Sequence, residues 1–269
     1  MTTGILTFFG AVFVLGVGNT VGYHRLLTHR AFRASATLRG LLAFLGALHS
    51  GPPMFWVGLH RLHHLRSDQP DDPHSPRQRG FWYGHCGWLL WPGAGALPSA
   101  LFALSGFGQQ IRTIIHDVRR VMGKNPPVWL SVCPDLKEEA ALRALELPGV
   151  TPLMFAGQLG LAWIIGGPGG ILWLWAVHLF LTNASWAVNS ICHLPRFGRA
   201  PYDTGDDSRD VPWLFWMTLG ESYHNTHHRY PRSARHGLDG GIDPSWWVIR
   251  AMCAIGLASE PWLPKAHRN

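Results

Sequence analysis

From Leu147 to Pro195 the chain carries no Asp, Glu, Lys or Arg, and a run of that length leaves few folds open. One bilayer crossing takes about 20 apolar residues, so the run holds two. Gly166-Gly167-Pro168-Gly169-Gly170 divides it near the middle, and such a cluster stops a helix and permits a tight reversal. The stretch predicts a helical hairpin, with one helix near 150–165 and the next near 171–191. Its turn has neither Lys nor Arg, while Arg196 and Arg199 follow the second helix. The positive-inside rule then puts both ends of the hairpin in the cytoplasm.

A second uncharged run, Thr2 to Tyr23, predicts a span near 3–22. It lacks a basic start and a small-residue cleavage site, so it reads as a retained helix rather than a signal peptide. Arg25, Arg30, Arg33 and Arg39 follow at once and mark that end as cytoplasmic. Gly40 to His60 is also uncharged, but Gly51-Pro52-Pro53 leaves pieces too short to cross, which predicts a re-entrant or interface-lying segment. Between Gly80 and Ile111, Trp82, Tyr83, Trp88 and Trp91 suit an aromatic belt at the headgroups. Residues 112–146 read as charged and partly helical, and a short apolar helix is expected near 245–257.

Only 14% of the 269 residues are charged, against roughly 25% in soluble domains. The mean hydropathy is nevertheless just +0.04, so a large polar portion must stand in water. The expected architecture is one all-α membrane domain, 1–269, with about three spans and cytoplasmic regions 24–146 and 193–269. The formal charge of +7 is spread in clusters between apolar blocks. That suits loops facing an anionic leaflet, and no nucleic-acid reading motif is present. Cys86, Cys133, Cys192 and Cys253 are scattered and read as packed, reduced thiols.

Histidine is the anomaly, with 16 copies. His24 and His29 follow the first run. His60, His63 and His64 form HxxHH, as do His224, His227 and His228, and Asn189 and His193 form NxxxH at the end of the hairpin. Positions i, i+3 and i+4 share a helix face, so each HxxHH is expected to aim three imidazoles at one point. His24 and His29 are five apart and would diverge on an α-helix. Either the helix ends between them, or they serve two different metals. Two spans separate His64 from His193, an even number, so all four groups emerge on one side. His49, His116, His178 and His267 read as ordinary satisfied polar residues.

Imidazole suits Fe, Cu, Ni and Zn alike, so ligand type does not choose among them. Nine histidines fit two ions with open positions better than one closed ion, and no Cys lies at ligand spacing. An oxygen-using two-metal centre at a membrane surface is the economical reading. A histidine-rich metal-binding or transporting membrane protein is the non-enzyme alternative, although a transporter would carry its ligands near the midplane.

The stretches GYHRLLTHRAF (22–32), HRLHH with DDPHSP and GFWYGHCGWLL (60–90), NSICH (189–193) and GESYHNTHHRYPRSARHGL (220–238) resemble the integral-membrane fatty acyl desaturases of the Δ9, stearoyl-CoA desaturase-like type. SARHGL and IDPSWWVIR look like the bacterial branch, which implies a bacterial inner membrane with the site on its cytoplasmic side. The resemblance implies two irons held by His24, His29, His60, His63, His64, His193, His224, His227 and His228, with Asn189 acting through water. No catalytic residue separate from these ligands is implied. The implied reaction forms a cis double bond, at Δ9, in a long saturated acyl chain, using O2. A membrane alkane or fatty-acid hydroxylase is the nearest alternative chemistry.

Glu221, Asp72 and Asp68 are expected to orient ligand imidazoles, with Asp71 a further candidate, and Trp56 and Trp186 to wall a substrate tunnel. Arg66, Arg229, Arg232 and Arg235 are candidates for docking an acidic donor or lipid phosphates. Electrons are expected from a separate ferredoxin, rubredoxin or cytochrome b5 with an NAD(P)H reductase. Members of the family usually have one further span before the first histidine group. Animal acyl-CoA desaturases have a basic pair where this chain reads Trp91-Pro92, which leaves CoA, lipid and acyl-carrier-protein forms of the substrate open.

Overall fold

The computed structural model describes residues 2–122 and 132–265. They are mostly helical, with one two-residue antiparallel pairing, Arg33–Ala34 against Ala258–Ser259. Two helices are long and apolar enough to cross a membrane, Thr3–Thr28 and Val150–His193. The second is not straight. Gly167 sits at φ 52°, ψ −137° beside Pro168, and His178 Nε2 lies 3.1 Å from Gln158 Oε1. Twenty residues of unbroken helix would hold those atoms about 30 Å apart, so the chain doubles back at the glycine-proline cluster.

The first helix changes winding along its length. Helix α1 (Thr2–Val17) is regular, and Gly18–Thr28 continues it as a π-helix. Gly18 and Gly22 face α2 (Ala36–Ser50). A Cβ at Gly18 would collide with Gly46 N, and one at Gly22 would lie 3.0 Å from Leu42 Cβ. Small residues four apart let two backbones cross closely without leaving a gap. Ser35 caps α2 by accepting from Leu38 N at 3.3 Å.

The expected break at Gly51-Pro52-Pro53 is present, and α3 (Pro53–Arg66) starts immediately after it. The C-terminal carbonyls of α2 are buried and have no partner within the helix. Each is answered from elsewhere: Leu48 O by Gln158, His49 O by Gln110, Ser50 O by Gln109 and Gly51 O by Tyr23, at 2.7–3.2 Å. A helix end inside an apolar bundle is tolerable only with such partners.

Arg25 corrects one sequence expectation. It is fully buried rather than a charge facing the leaflet, with Nε donating to Glu221 at 3.0 Å and Nη1 to Asp243 at 3.0 Å. The aromatic belt is only partly present: Trp82 and Trp91 are exposed, whereas Tyr83 is buried. Helices at Gly108–Val121, Ala140–Leu145 and Pro244–Ala254 match the expected partly helical and short apolar segments. All four cysteines are free, and Cys86, Cys133 and Cys192 are buried. His178 is satisfied by Gln110 and Gln158, His49 packs on it, His116 lies beside Asp117, and His267 lies outside the described residues.

Candidate metal centre

The nine predicted histidines converge, but not box by box. His24, His29, His60, His64 and His227 form one group, and His63, His193, His224 and His228 form another. Each HxxHH is therefore split. His60 and His64 join the first group while His63 joins the second; His224 and His228 join the second while His227 joins the first. The expectation of three imidazoles at one point is corrected by helix geometry. At about 100° per residue, i+4 lies about 40° to one side of i and i+3 about 60° to the other. Positions i and i+4 close on one point, at 3.1 Å between Nε2 atoms for both His60–His64 and His224–His228, and i+3 points away.

The π-helix resolves the five-residue spacing. His29 N donates to His24 O at 3.1 Å, an i→i+5 bond, and the two rings lie 4.8 Å apart in the same group. Of the two expected alternatives the first holds: the π-helix ends at Thr28 with His29 as its C-cap, and both residues belong to one group rather than to two. A π-helical turn is uncommon and concentrates at functional sites.

The ring nitrogens are too crowded to satisfy one another. His227 Nε2 lies 3.2 Å from His24 Nε2 and 2.9 Å from His64 Nε2, which is also 3.1 Å from His60 Nε2. One imidazole nitrogen has either a single proton or a single lone pair, so it cannot serve two such neighbours. The Nε2 atoms of His29 and His63 are buried with no hydrogen-bond partner. Two ligands at right angles, each about 2.1 Å from an ion, would lie about 3.0 Å apart. The donor set thus fits a metal ion in each group.

Protonation agrees. Burial, reinforced by neighbouring imidazoles, holds His60, His64, His224 and His227 well below the usual histidine range. His228 is pushed down to about 4 by burial in spite of Asp206. These five rings therefore present lone pairs, which metal binding requires, whereas the Asp68 carboxylate outweighs burial and shifts His193 up.

Carboxylates stand behind four of the nine rings. His63 Nδ1 is 3.1 Å from Asp72, His193 Nδ1 2.9 Å from Asp68, His228 Nδ1 2.6 Å from Asp206 and His24 Nδ1 2.5 Å from Glu221. Such contacts fix tautomer and ring orientation. Burial would raise the Asp68 carboxyl, but His193, Ser75 and the Asp207 N–H outweigh it and hold it at about 2. Asp72, Asp206 and Glu221 are likewise held below the ordinary carboxylate range, with burial outweighed by their imidazole neighbours and, for Glu221, first by Arg25. Asp71 is exposed and stands outside this set.

Comparison with known proteins fits this geometry. The family model described as fatty acid desaturase matches residues 3–239. An acyl-CoA 5-desaturase of Anemone leveillei is 35% identical over 95% of this chain and 71% of its own length. An sn-1 stearoyl-lipid 9-desaturase of Anabaena variabilis is 33% identical over 91% and 78%. A Delta-9 acyl-lipid desaturase of Arabidopsis thaliana is 33% identical over 93% and 71%. The chain belongs to the fatty acid desaturase family. Its activity is the oxidation of a fatty acyl chain to an unsaturated one.

Two cavities meet beside the desaturase histidines. The first is bordered by Val12, Gly16, Leu181, Ala184, Val188 and Leu219 and reaches His24, His60 and His224. The second is more polar, with Ser50, His74, Trp88, Gln109 and Thr182 in its wall. Trp56 and Asn189 border both, and Trp186 borders the second. Trp56 also stacks on His60, with ring centroids 5.1 Å apart.

Sequence reasoning missed three residues of this site. Asp206 supports His228 from a loop whose GDDSRD stretch offers several equivalent acids. His236 Nδ1 lies 3.1 Å from the Glu221 carboxylate that also meets His24, and His74 lies against His63 with ring centroids 4.3 Å apart. The last two stand in SARHGL and DDPHSP, which carry the resemblance, but no spacing rule ties them to a ligand.

Proposed function

We propose that this desaturase introduces a cis double bond, at the Δ9 position, into a long saturated acyl chain at a di-iron centre, with O2 as co-substrate and electrons from a separate carrier. The observation that carries the reading is the pairing of two crowded imidazole groups with an apolar cavity that ends on them. His24, His29, His60, His64 and His227 would hold one iron, and His63, His193, His224 and His228 the other, with Asn189 acting through water from the cavity side. Bound iron with O2 supplies the power to remove hydrogen from an unactivated methylene, which no side chain here possesses.

The protein's own part is placement. The aliphatic walls contributed by Val12, Leu181, Ala184 and Leu219 favour the methyl end of the chain, and the polar second cavity suits the part nearer the carrier. The chain then bends past Trp56 and Asn189, where one methylene pair faces the histidines. The reach of the polar second cavity from the carrier to that bend counts carbons from the carboxyl end and so sets which pair is presented, while the depth of the apolar arm limits chain length. Rigid positioning of the reacting carbons at that bend contributes to rate directly. Asp68, Asp72, Asp206 and Glu221 keep the imidazoles in one tautomer and orientation.

In this reading the doubled-back helix Val150–Ser190 supplies two spans and Thr3–Thr28 a third. The histidine groups stand in a helical cap on the cytoplasmic side of a bacterial inner membrane. Arg30, Arg33, Arg196 and Arg199 are exposed at that end, which accords with the positive-inside rule.

The test is the fatty-acid profile of a host expressing the chain, read by gas chromatography–mass spectrometry, beside the same host expressing His63→Ala. A new cis-monounsaturated acid that vanishes in the variant is expected, and its fragmentation locates the double bond. A hydroxylated product, or the same new acid from both, would overturn the reading.

A further inference from the structure

The two histidine groups differ in their access to the aqueous side. In the second group His63, His193 and His224 are 1% exposed, and His228 is half-buried but does not border the groove described next. His29 and His64, both of the first group, are only half-buried and form part of the wall of a wide surface groove. The rest of that wall is Thr28, Arg30, Arg61, Arg232, Leu65, Val132, Pro134 and Pro231. Leu65 is 66% exposed. The groove continues, through the shared Arg30 and Arg232, into a second hollow bordered by Phe32, Arg33, Arg39 and Glu260.

The charges on this face are unequal. Asp135 takes both Arg30, at 2.7 Å, and Arg61, at 2.6 Å, while Glu139 pairs with Arg39 and Glu260 with Arg33. Arg232 makes no ion pair with any described residue. Five arginines against three carboxylates leave the face positive, around a small apolar strip of Leu65, Val132, Pro134 and Pro231. A charged ring around a modest apolar patch suits a weak, fast-exchanging protein contact.

We infer that this groove is the docking surface for an acidic one-electron carrier protein, and that electrons enter across the His29 and His64 rings. The inference rests on the desaturase reading. Converting –CH2–CH2– to –CH=CH– while O2 becomes two waters consumes two electrons and two protons besides the two hydrogens taken from the chain. One turnover therefore oxidises two molecules of reduced carrier. A carrier seated in the groove is separated from the first group by one imidazole, and from the second by the first.

The test uses the full chain loaded with iron, and reduced plant-type [2Fe–2S] ferredoxin as the acidic probe. Reduction is followed by stopped flow across a salt series for the wild type, Arg232→Glu and Arg232→Lys. Arg232→Glu is expected to slow reduction about tenfold at low salt and to flatten the salt dependence, with Arg232→Lys near wild type. Reduction and single-turnover product formation with dithionite should be unchanged in all three. Equal ferredoxin rates and salt slopes in Arg232→Glu and wild type would overturn the docking surface, as would failure of ferredoxin to reduce the wild type. In either case, dithionite-driven product leaves the desaturase reading standing. No product with dithionite would overturn that reading, and the inference with it.

Discussion

The two histidine groups share the helices Pro53–Arg66 and His224–Arg229 but are supported differently. The five-histidine group has one carboxylate behind it, Glu221, and that carboxylate is shared with Arg25 and His236. The four-histidine group has three, Asp68, Asp72 and Asp206, none of them in contact with Arg25. An imidazole backed by a carboxylate is a stronger donor. The group with fewer rings thus compensates in donor strength, and the group with more rings borders the surface groove. Number of ligands and quality of ligands are distributed in opposite directions.

Removing a ring from either group should have the largest effect. His63→Ala and His227→Ala are each expected to abolish product and to lower bound iron from about two per chain to about one, with membrane insertion intact. Full activity in either variant would remove that ring from the ligand set. Next come the supporting carboxylates, where Asp68→Asn or Asp206→Asn should cost about 10- to 100-fold in activity or iron affinity. Glu221→Gln should add a stability loss of about 3 kcal/mol, because Arg25 would then keep only Asp243 as a charged partner in a buried site. Equal thermal unfolding of Glu221→Gln and Asp206→Asn would erase the difference between the two supports.

Chelation sharpens the comparison further. Iron should leave in two phases, first from the five-histidine group, which borders the groove and has one shared carboxylate. A single phase, followed by metal content against time, would show that the groups act as one.

The smallest expected effect is on the pH dependence of the metal-free protein. His228 is held down to about 4 from an ordinary value of 6.5. Between those values the unfolded chain binds the proton and the folded one does not, so stability falls as pH drops from 6.5 toward 4. Asp68 is held at about 2, so its support is fully present above the ordinary carboxylate value of 3.8 and is lost progressively as pH falls from there to about 2. Metal-free protein should therefore melt a few degrees lower at pH 5 than at pH 7, and a flat profile would contradict the burial of neutral His228.

Much of the site was legible because histidine is conspicuous and the spans are long. The nine rings, the reversal at Gly167 and the break at Gly51-Pro52 all follow from composition and local chemistry. The division of each box between two groups did not follow, since a shared face is too coarse a notion to separate a 40° from a 60° offset. The joining of His24 to His29 depended on a winding that no periodicity announces. Asp206, His236 and the burial of Arg25 depended on contacts between segments more than a hundred residues apart in the case of Arg25, and on loop geometry in the others. Local rules say nothing of such meetings.

The buried end of α2 has a consequence for how the chain is made. Its last carbonyls wait on side chains that the ribosome delivers later: Gln109 and Gln110 some sixty residues on, and Gln158 about 110. Until Gln158 has emerged, that end cannot settle at depth without a bare carbonyl, and it must rest where water can serve it. The end of α2 is therefore expected to take its final seat only once the segment carrying Gln158 is in place beside it.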